Sequence, residues 1–155
     1  MQSETDFIFV IFIVVISVGL FIGLWFGILF LISRMSGWSK LHKTYGFPNY
    51  IQKPFLVKSN QSIKLGISNF NGIVKLSFHP EGLGMEVMIL FRFQHPKILI
   101  PWKNIKLKEK SKSVFTWNKF EIGNPLIAKI SMNNKILEEI EPYITKEISE
   151  DDKWN

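Results

Sequence analysis

An uncharged apolar run at residues 7–32 constrains this chain of 155 residues more than any other feature. Ser17 is the only hydroxyl-bearing residue in it. As a helix, these 26 residues extend about 39 Å, more than the roughly 30 Å hydrocarbon core of a bilayer. Glu4 and Asp6 precede the run and no small-x-small site closes it, which disfavours a cleaved signal peptide. The sequence predicts a transmembrane helix after a short N-terminus of residues 1–6.

The distribution of basic residues predicts the orientation of this helix. No Lys or Arg precedes Arg34, whereas Lys40 and Lys43 follow it closely. Basic flanks remain on the cytoplasmic side of a membrane. We therefore expect a single-pass protein of the inner (cytoplasmic) membrane, with its N-terminus outside and residues 33–155 in the cytoplasm.

Residues 33–54 form a juxtamembrane segment with two possible structures. Trp38, Leu41 and Tyr45 share one face of a possible short helix, which could lie on the membrane with Trp38, Tyr45 and Tyr50 as interfacial anchors. The alternative is an ordinary linker.

Three glycines within the apolar run lie four residues apart: Gly19, Gly23 and Gly27. Small residues at this spacing let two transmembrane helices approach closely. Self-association as a homodimer through this glycine face is therefore one expectation, and glycines without such a role are the alternative.

From residue 55 onward, short apolar stretches alternate with turn sequences, which is typical of strands. The turns fall at Asn71-Gly72, at His79-Pro80-Glu81-Gly82, at residues 94–97 and at residues 123–125. The predicted strands cover residues 62–70, 73–78, 83–93, 98–102, 105–109, 114–122 and 126–132. A bent antiparallel sheet or small barrel of about seven strands is therefore expected.

After Met132 the apolar spacing becomes helical, with Asn133 or Asn134 as the N-cap. Pro142 suggests that the helix ends near Glu141 or restarts there. We expect a domain of residues 55–145, capped by this C-terminal helix, and an acidic tail of residues 146–155.

Seven strands followed by one helix resemble the pleckstrin-homology-like barrel, including its bacterial and GRAM-type relatives. A more local resemblance rests on Ser36-Gly37-Trp38, Glu81-Gly82-Leu83 and the stretch from residue 91 to residue 102. These segments are similar to a family of uncharacterised bacterial single-pass membrane proteins. That likeness implies an architecture and a localisation, and it supplies no mechanism.

The sequence contains no signature of catalysis. Zero cysteines exclude thiolate metal sites and a cysteine nucleophile. His79 and His95 each precede a proline in a turn and could approach Glu81, but their spacing does not match a metal motif. Glu86 and Arg92 are expected as exposed charges on one strand. No catalytic, cofactor-binding or metal-binding residue is predicted.

Charge is the most informative feature of the predicted domain. Residues 34–132 hold 16 Lys and Arg against four acids, whereas residues 133–155 hold three Lys against seven acids. Four lysines alternate with other residues: Lys106, Lys108, Lys110 and Lys112. On a strand this lysine stripe would form one basic surface that binds anionic lipid headgroups or a protein partner; the alternative is that it only keeps an edge strand soluble.

These features favour a membrane-anchored, non-enzymatic binding or adaptor module at the cytoplasmic face, with no nucleic acid expected. A structural component that assembles through the glycine face is the first alternative. An enzyme of unrecognised type is the remote one.

The orientation is directly testable. Because Arg34, Lys40 and Lys43 set the topology, a fluorescent reporter fused after Asn155 should fluoresce in the cytoplasm. Alkaline phosphatase fused at the same position should be inactive, since it requires export. Phosphatase activity without fluorescence would contradict the predicted orientation.

Overall fold

The computed structural model describes residues 2–111 and 117–151, with side chains from residue 6 to residue 144 within those ranges. Helix α1 covers Gln2–Ser36 and contains a segment, Asp6–Ser36, that is long and apolar enough to cross a membrane. The side chains of residues 7–28 are exposed, and the Ser17 hydroxyl donates a 2.8 Å hydrogen bond to the Ile13 carbonyl. The only hydroxyl of the apolar run is therefore satisfied within its own helix. A first compact unit ends at Ile32 and a second begins at Ser33.

The second unit contains seven described strands and two further α-helices. Helix α2 covers Trp38–Tyr45 and helix α3 covers Asn134–Asp151. The strands are β1 (Leu56–Leu65), β2 (Ser68–His79), β3 (Gly82–Val87), β4 (Ile98–Pro101), β5 (Ile105–Glu109), β6 (Asn118–Ile122) and β7 (Ala128–Met132). Two 3-10 helices, Ile89–Gln94 and Trp102–Asn104, flank β4.

All seven strands belong to one antiparallel sheet in the order β4-β3-β2-β1-β7-β6-β5. Strand β1 pairs with both β2 and β7, so the first and last strands are neighbours. The sheet is bent into a nearly closed, barrel-like shape, with β4 and β5 at its two ends. An apolar N-terminal helix, seven antiparallel strands and a C-terminal helix are therefore confirmed.

The core lies inside the bent sheet and beneath α3. Its largest side chains that are almost fully buried include Phe78, Phe120, Leu76, Leu83, Met85 and Ile100. Helix α3 contributes Ile136, Leu137, Ile140 and Ile144. Tyr143 of this helix stacks on Trp102 with ring centroids 4.9 Å apart. The helix therefore covers apolar side chains that an uncapped sheet would expose to water.

Helix α3 is longer than its sequence suggests. The Asn133 carboxamide oxygen accepts a 3.0 Å hydrogen bond from the Ile136 amide, so Asn133 is the N-cap. Pro142 lies inside the helix, which continues to Asp151. The expected stop near Glu141 is therefore wrong, and the backbone of residues 146–151 continues this helix.

The turn between β1 and β2 corrects a second prediction. Asn71-Gly72 does not form the hairpin; it lies within β2, and the chain turns at Gly66 and Ile67 instead. Gly66 has φ +56°, which favours glycine. Gly72 also has positive φ, and its amide donates a 2.8 Å hydrogen bond to the Ser62 hydroxyl beside an irregularity in β1. Both glycines can therefore adopt a turn conformation. Gly66 forms the turn, and Gly72 forms an irregular part of β2.

The predicted strand of residues 83–93 ends early, at Val87. The Met88 amide donates a hydrogen bond to the Ile73 carbonyl. Because β2 and β3 are antiparallel, the residue after Met88 would have to pair with Gly72, whose left-handed conformation interrupts the β2–β3 ladder. The chain then forms the 3-10 helix Ile89–Gln94. This places a run of apolar residues outside the sheet.

Helix α2 packs on the β domain, which corrects the expectation of a helix lying on the membrane. Its buried residues are Trp38, Leu41 and Tyr45. The Trp38 indole donates a 2.9 Å hydrogen bond to the Pro96 carbonyl, and its ring contacts Phe70 and His95 at centroid distances of 5.5 and 5.4 Å. The amphipathic spacing was correct, but its apolar face is covered by protein.

Candidate functional site

Lys106 and Lys108 of the lysine stripe lie on β5, a terminal strand of the sheet. Lys106 and Lys108 are exposed, whereas Ile105 is buried and Leu107 is half-buried. Alternate side chains of a strand point to opposite faces. Within the described residues, neither Lys106 nor Lys108 forms an ion pair. These two ammonium groups are thus available to an acidic ligand.

After Lys108 the lysines of the stripe no longer continue along a regular strand. The ladder to β6 becomes irregular between Leu107 and Glu109. Lys110 contacts Glu141 of α3 at 2.6 Å, and Glu109 contacts Lys119 of β6 at 2.7 Å. Lys110 is therefore partly neutralised by the domain itself, and Lys112 lies outside the described residues.

The predicted aromatic anchors have different environments. Trp38 and Tyr45 are buried, and the Tyr45 hydroxyl accepts a 3.0 Å hydrogen bond from the Asn104 carboxamide. Neither ring faces outward, so the prediction that they are interfacial anchors is wrong. The face of α2 that would have contacted the membrane is buried against the β domain instead. Tyr50 is exposed, and its interfacial role stays a prediction.

Gly19, Gly23 and Gly27 all lie in α1. An added Cβ at any of the three would meet no described atom within 4 Å. Their proposed packing against a second helix stays a prediction.

His79 and His95 are buried structural residues. The two ring nitrogens of His79 lie 2.8 Å from the Gln52 carbonyl oxygen and 3.0 Å from the Ser77 hydroxyl. His95 Nδ1 donates a 3.0 Å hydrogen bond to the Phe91 carbonyl, while its Nε2 is buried without a hydrogen-bond partner among the described residues. Within that part of the chain, no group of three or more His, Cys, Asp or Glu side chains is placed to hold a metal.

Glu86 and Arg92 do not share a strand. Glu86 lies on β3 and Arg92 lies on the 3-10 helix, yet their side chains form an ion pair. Lys97, just before β4, contacts the second Glu86 oxygen at 3.1 Å. One carboxylate therefore joins both ends of the β3–β4 connection, which fixes the 3-10 helix against the sheet.

A basic groove that sequence reasoning missed lies within the second unit, between residues 34–40 and the β6–β7 loop. The term refers to a surface cavity of about 310 Å³ lined by Arg34, Met35, Ser36, Gly37, Lys40, Gly66 and residues 126–129. Arg34 and Lys40 come from the helices, and Lys129 comes from β7. No acidic side chain is among the described residues that line it. The groove is positively charged and is well suited to a phosphate or carboxylate.

The position of Gly66 explains how the groove is assembled. A Cβ at Gly66 would lie 2.7 Å from the Ser36 carbonyl oxygen, closer than normal contact allows. Glycine therefore lets the β1–β2 turn approach the last turn of α1. The Gly66 amide also donates a 3.0 Å hydrogen bond to the Lys129 carbonyl, which places β7 at the same point. Sequence reasoning assigned Arg34 and Lys40 only to the orientation of the membrane helix, and no sequence pattern linked them to Lys129.

The chain was compared with protein-family models, with curated proteins and with solved structures, and none of the three comparisons returned a match.

Burial of His95 predicts a pH dependence of stability. Desolvation between Trp38 and Phe70 lowers the pKa of His95 below its ordinary value of about 6.5, although its hydrogen bond to Phe91 opposes this shift. Protons then bind the unfolded chain more readily than the folded one. The contribution of neutral His95 is complete above about pH 6.5 and is lost as the pH falls through the folded-state value.

We expect the free energy of unfolding to decrease less steeply between about pH 7 and pH 5 in His95→Gln than in the wild type. Denaturant unfolding of the full-length protein in detergent, followed at several pH values, measures both slopes. The variant is expected to be less stable at every pH, so only the slope is diagnostic. Equal slopes in both proteins would contradict the assignment of a buried, neutral His95.

Proposed function

We propose that this chain is a single-pass protein of the inner membrane whose β domain is a pleckstrin-homology-like, non-enzymatic binding module in the cytoplasm. The observation that carries the proposal is a bent seven-stranded sheet followed by a covering helix, joined to a helix long enough to cross a bilayer. A membrane segment joined to a small β domain suits an adaptor that holds a partner at the membrane surface.

Strand order and the terminal helix support the pleckstrin-homology-like assignment. The first four strands form a meander in which each strand pairs with the next, and the last three form a second meander. Strands β1 and β7 join the two. The C-terminal helix follows β7 directly and covers the interior side chains. Seven strands followed by one helix is the element order on which the resemblance rests.

The proposed binding surface is the outward face of β5, where Lys106 and Lys108 are exposed. Neither lysine forms an ion pair among the described residues, although Glu121 lies opposite Lys106 on β6, so an acidic ligand would compete with that carboxylate at Lys106. The domain carries a large excess of basic residues between positions 34 and 132. Long-range attraction of an acidic partner therefore adds to the local contact.

The two lysines on β5 suit an extended acidic protein segment. Ile105 pairs with Ile122, and the loop after Ile122 leads to the basic groove beside α1. The far end of the strand adjoins Lys110, which contacts α3. Lys106 and Lys108 lie two residues apart on the strand, about 7 Å along its length. An extended acidic segment can therefore contact both ammonium groups.

A charge-reversed variant tests this surface. The full-length protein is placed in phosphatidylcholine nanodiscs, and a fluorescent oligoglutamate peptide is titrated at low salt. We expect Lys106→Glu/Lys108→Glu to bind the peptide at least about tenfold more weakly, a difference of about 1.4 kcal/mol. Binding to the wild type should also weaken as salt increases, because exposed charges are screened.

Lys53→Glu/Lys75→Glu is the matched control, since both lysines are exposed elsewhere and the change in net charge is identical. Lys106→Glu and Lys75→Glu each place a second carboxylate opposite an existing one, Glu121 and Glu86 respectively, so both variants should lose a similar amount of stability, which denaturant unfolding measures. When the protein is captured from native membranes, the β5 variant should no longer retain the bound partner, whereas the control variant should retain it. Equal weakening by both variants would show a general charge effect and refute the β5 surface.

A further inference from the structure

The 3-10 helix Ile89–Gln94 exposes a cluster of large apolar side chains. Ile89, Leu90 and Phe93 are 75%, 67% and 70% exposed, and Met88 just before them is also exposed. Contiguous exposed apolar side chains indicate a surface that contacts a membrane or another protein. Arg92, the only charged residue of the segment, is directed to Glu86 by their ion pair. The 3-10 helix therefore presents an apolar tip with its charge turned towards the domain.

The tip is attached to the last turn of α1. The Ser33 hydroxyl donates a 2.6 Å hydrogen bond to the Gln94 carbonyl and lies 2.9 Å from the Ser39 hydroxyl. Ser33 follows Ile32, the last residue of the apolar run, by one peptide bond. The hydrogen bond therefore holds the C-terminal end of the 3-10 helix at the point where the chain leaves the apolar run.

The apolar run is long enough to bring this point to the bilayer surface. Its 26 residues exceed the hydrocarbon core by about 9 Å, so Ser33 lies at the level of the headgroups when the run spans the membrane. The 3-10 helix is hydrogen-bonded to Ser33 through the Gln94 carbonyl. Its exposed apolar side chains then lie within reach of the boundary between the headgroups and the acyl chains.

Two further loops support the placement of this end of the β domain towards the bilayer. Ile67 in the β1–β2 turn and Leu126 in the β6–β7 loop are both exposed, and both loops adjoin the basic groove. The cations of the groove, Arg34, Lys40 and Lys129, thus lie among exposed apolar side chains. Anionic headgroups attract basic residues near the membrane surface, while apolar side chains enter the boundary below them.

We infer that the tip of the 3-10 helix, residues 88–93, inserts into the cytoplasmic leaflet and fixes the β domain against the bilayer. The ligand is the lipid bilayer itself, with apolar contacts from the tip and phosphate contacts from the basic groove. This inference rests on the membrane anchoring in the proposed function, and it is independent of the lysines on β5. It gives the domain one fixed side towards the membrane and leaves β5 free for a partner.

The absence of cysteine from the chain permits a direct measurement of depth. A single cysteine is introduced as Leu90→Cys in the full-length protein, labelled with a nitroxide and reconstituted in liposomes. Val57→Cys is the matched control, because Val57 is an exposed apolar residue of β1 near the opposite end of that strand from the β1–β2 turn. Both positions are exposed, so labelling should not disturb the core. Electron paramagnetic resonance then compares collisions with oxygen, which concentrates in lipid, and with a water-soluble nickel chelate.

We expect the label at residue 90 to collide more with oxygen than with nickel, and the ratio to be reversed at residue 57. Nickel accessibility at residue 90 equal to that at residue 57 would overturn the insertion while leaving the anchor intact. Protection of residue 90 from both reagents would assign the tip to a protein contact and would also overturn it. Failure of the unlabelled protein to float with liposomes would refute the proposed membrane anchoring, and with it this inference.

Discussion

The burial of Trp38 docks helix α2 on the β domain, one residue, Gly37, after α1 ends at Ser36. Its indole is fully buried and hydrogen-bonded to the Pro96 carbonyl, and its ring lies against Phe70 of β2 and His95 before β4. Truncation of a buried tryptophan typically costs about 3–5 kcal/mol, a large part of the roughly 5–15 kcal/mol that stabilises a domain. Helix α2 therefore remains docked, and the second unit includes it together with residues 33–36 at the end of α1.

This docking explains the arrangement of the other surfaces. Since α2 starts at Trp38, the β1–β2 turn at Gly66 lies against Ser36, and the Gln94 carbonyl lies against Ser33. The basic groove and the exposed 3-10 helix are consequently found at the same end of the sheet. Lys106 and Lys108 lie on β5, which leads away from the groove. The proposed function assigns β5 to an acidic partner, and the further inference assigns the end with the 3-10 helix to the membrane.

Local patterns in the sequence were sufficient for the coarse fold. Apolar alternation indicated seven strands, and helical spacing after Met132 indicated the final helix. The same patterns could not decide which of two glycines would turn the chain, since Gly66 and Gly72 both adopt positive φ and only tertiary pairing separates them. Nor could they show that the apolar residues after Val87 leave the sheet, because a short apolar run suits a strand or a helix equally.

The candidate sites were predictable to different degrees. Alternating lysines placed Lys106 and Lys108 on one face because strand periodicity is a local property. Trp38 and Tyr45 have the spacing of an amphipathic helix, but the sequence does not state whether protein or lipid covers that face. The basic groove combines Arg34 and Lys40 with Lys129, which follows Lys40 by almost ninety residues. The approach of Gly66 to Ser36 and the pairing of β1 with β7 bring them together.

Amide hydrogen exchange of α2 tests the central claim, that the juxtamembrane helix is part of the β domain. The full-length protein in nanodiscs is exchanged into heavy water, and the peptides covering α2, β2 and the exposed residues 48–54 are compared by mass spectrometry. If Trp38 holds α2 in the core, the backbone amides of Leu41 to Tyr45 exchange as slowly as those in the centre of β2. Exchange of these amides as rapidly as that of residues 48–54 would show an undocked linker and contradict the account.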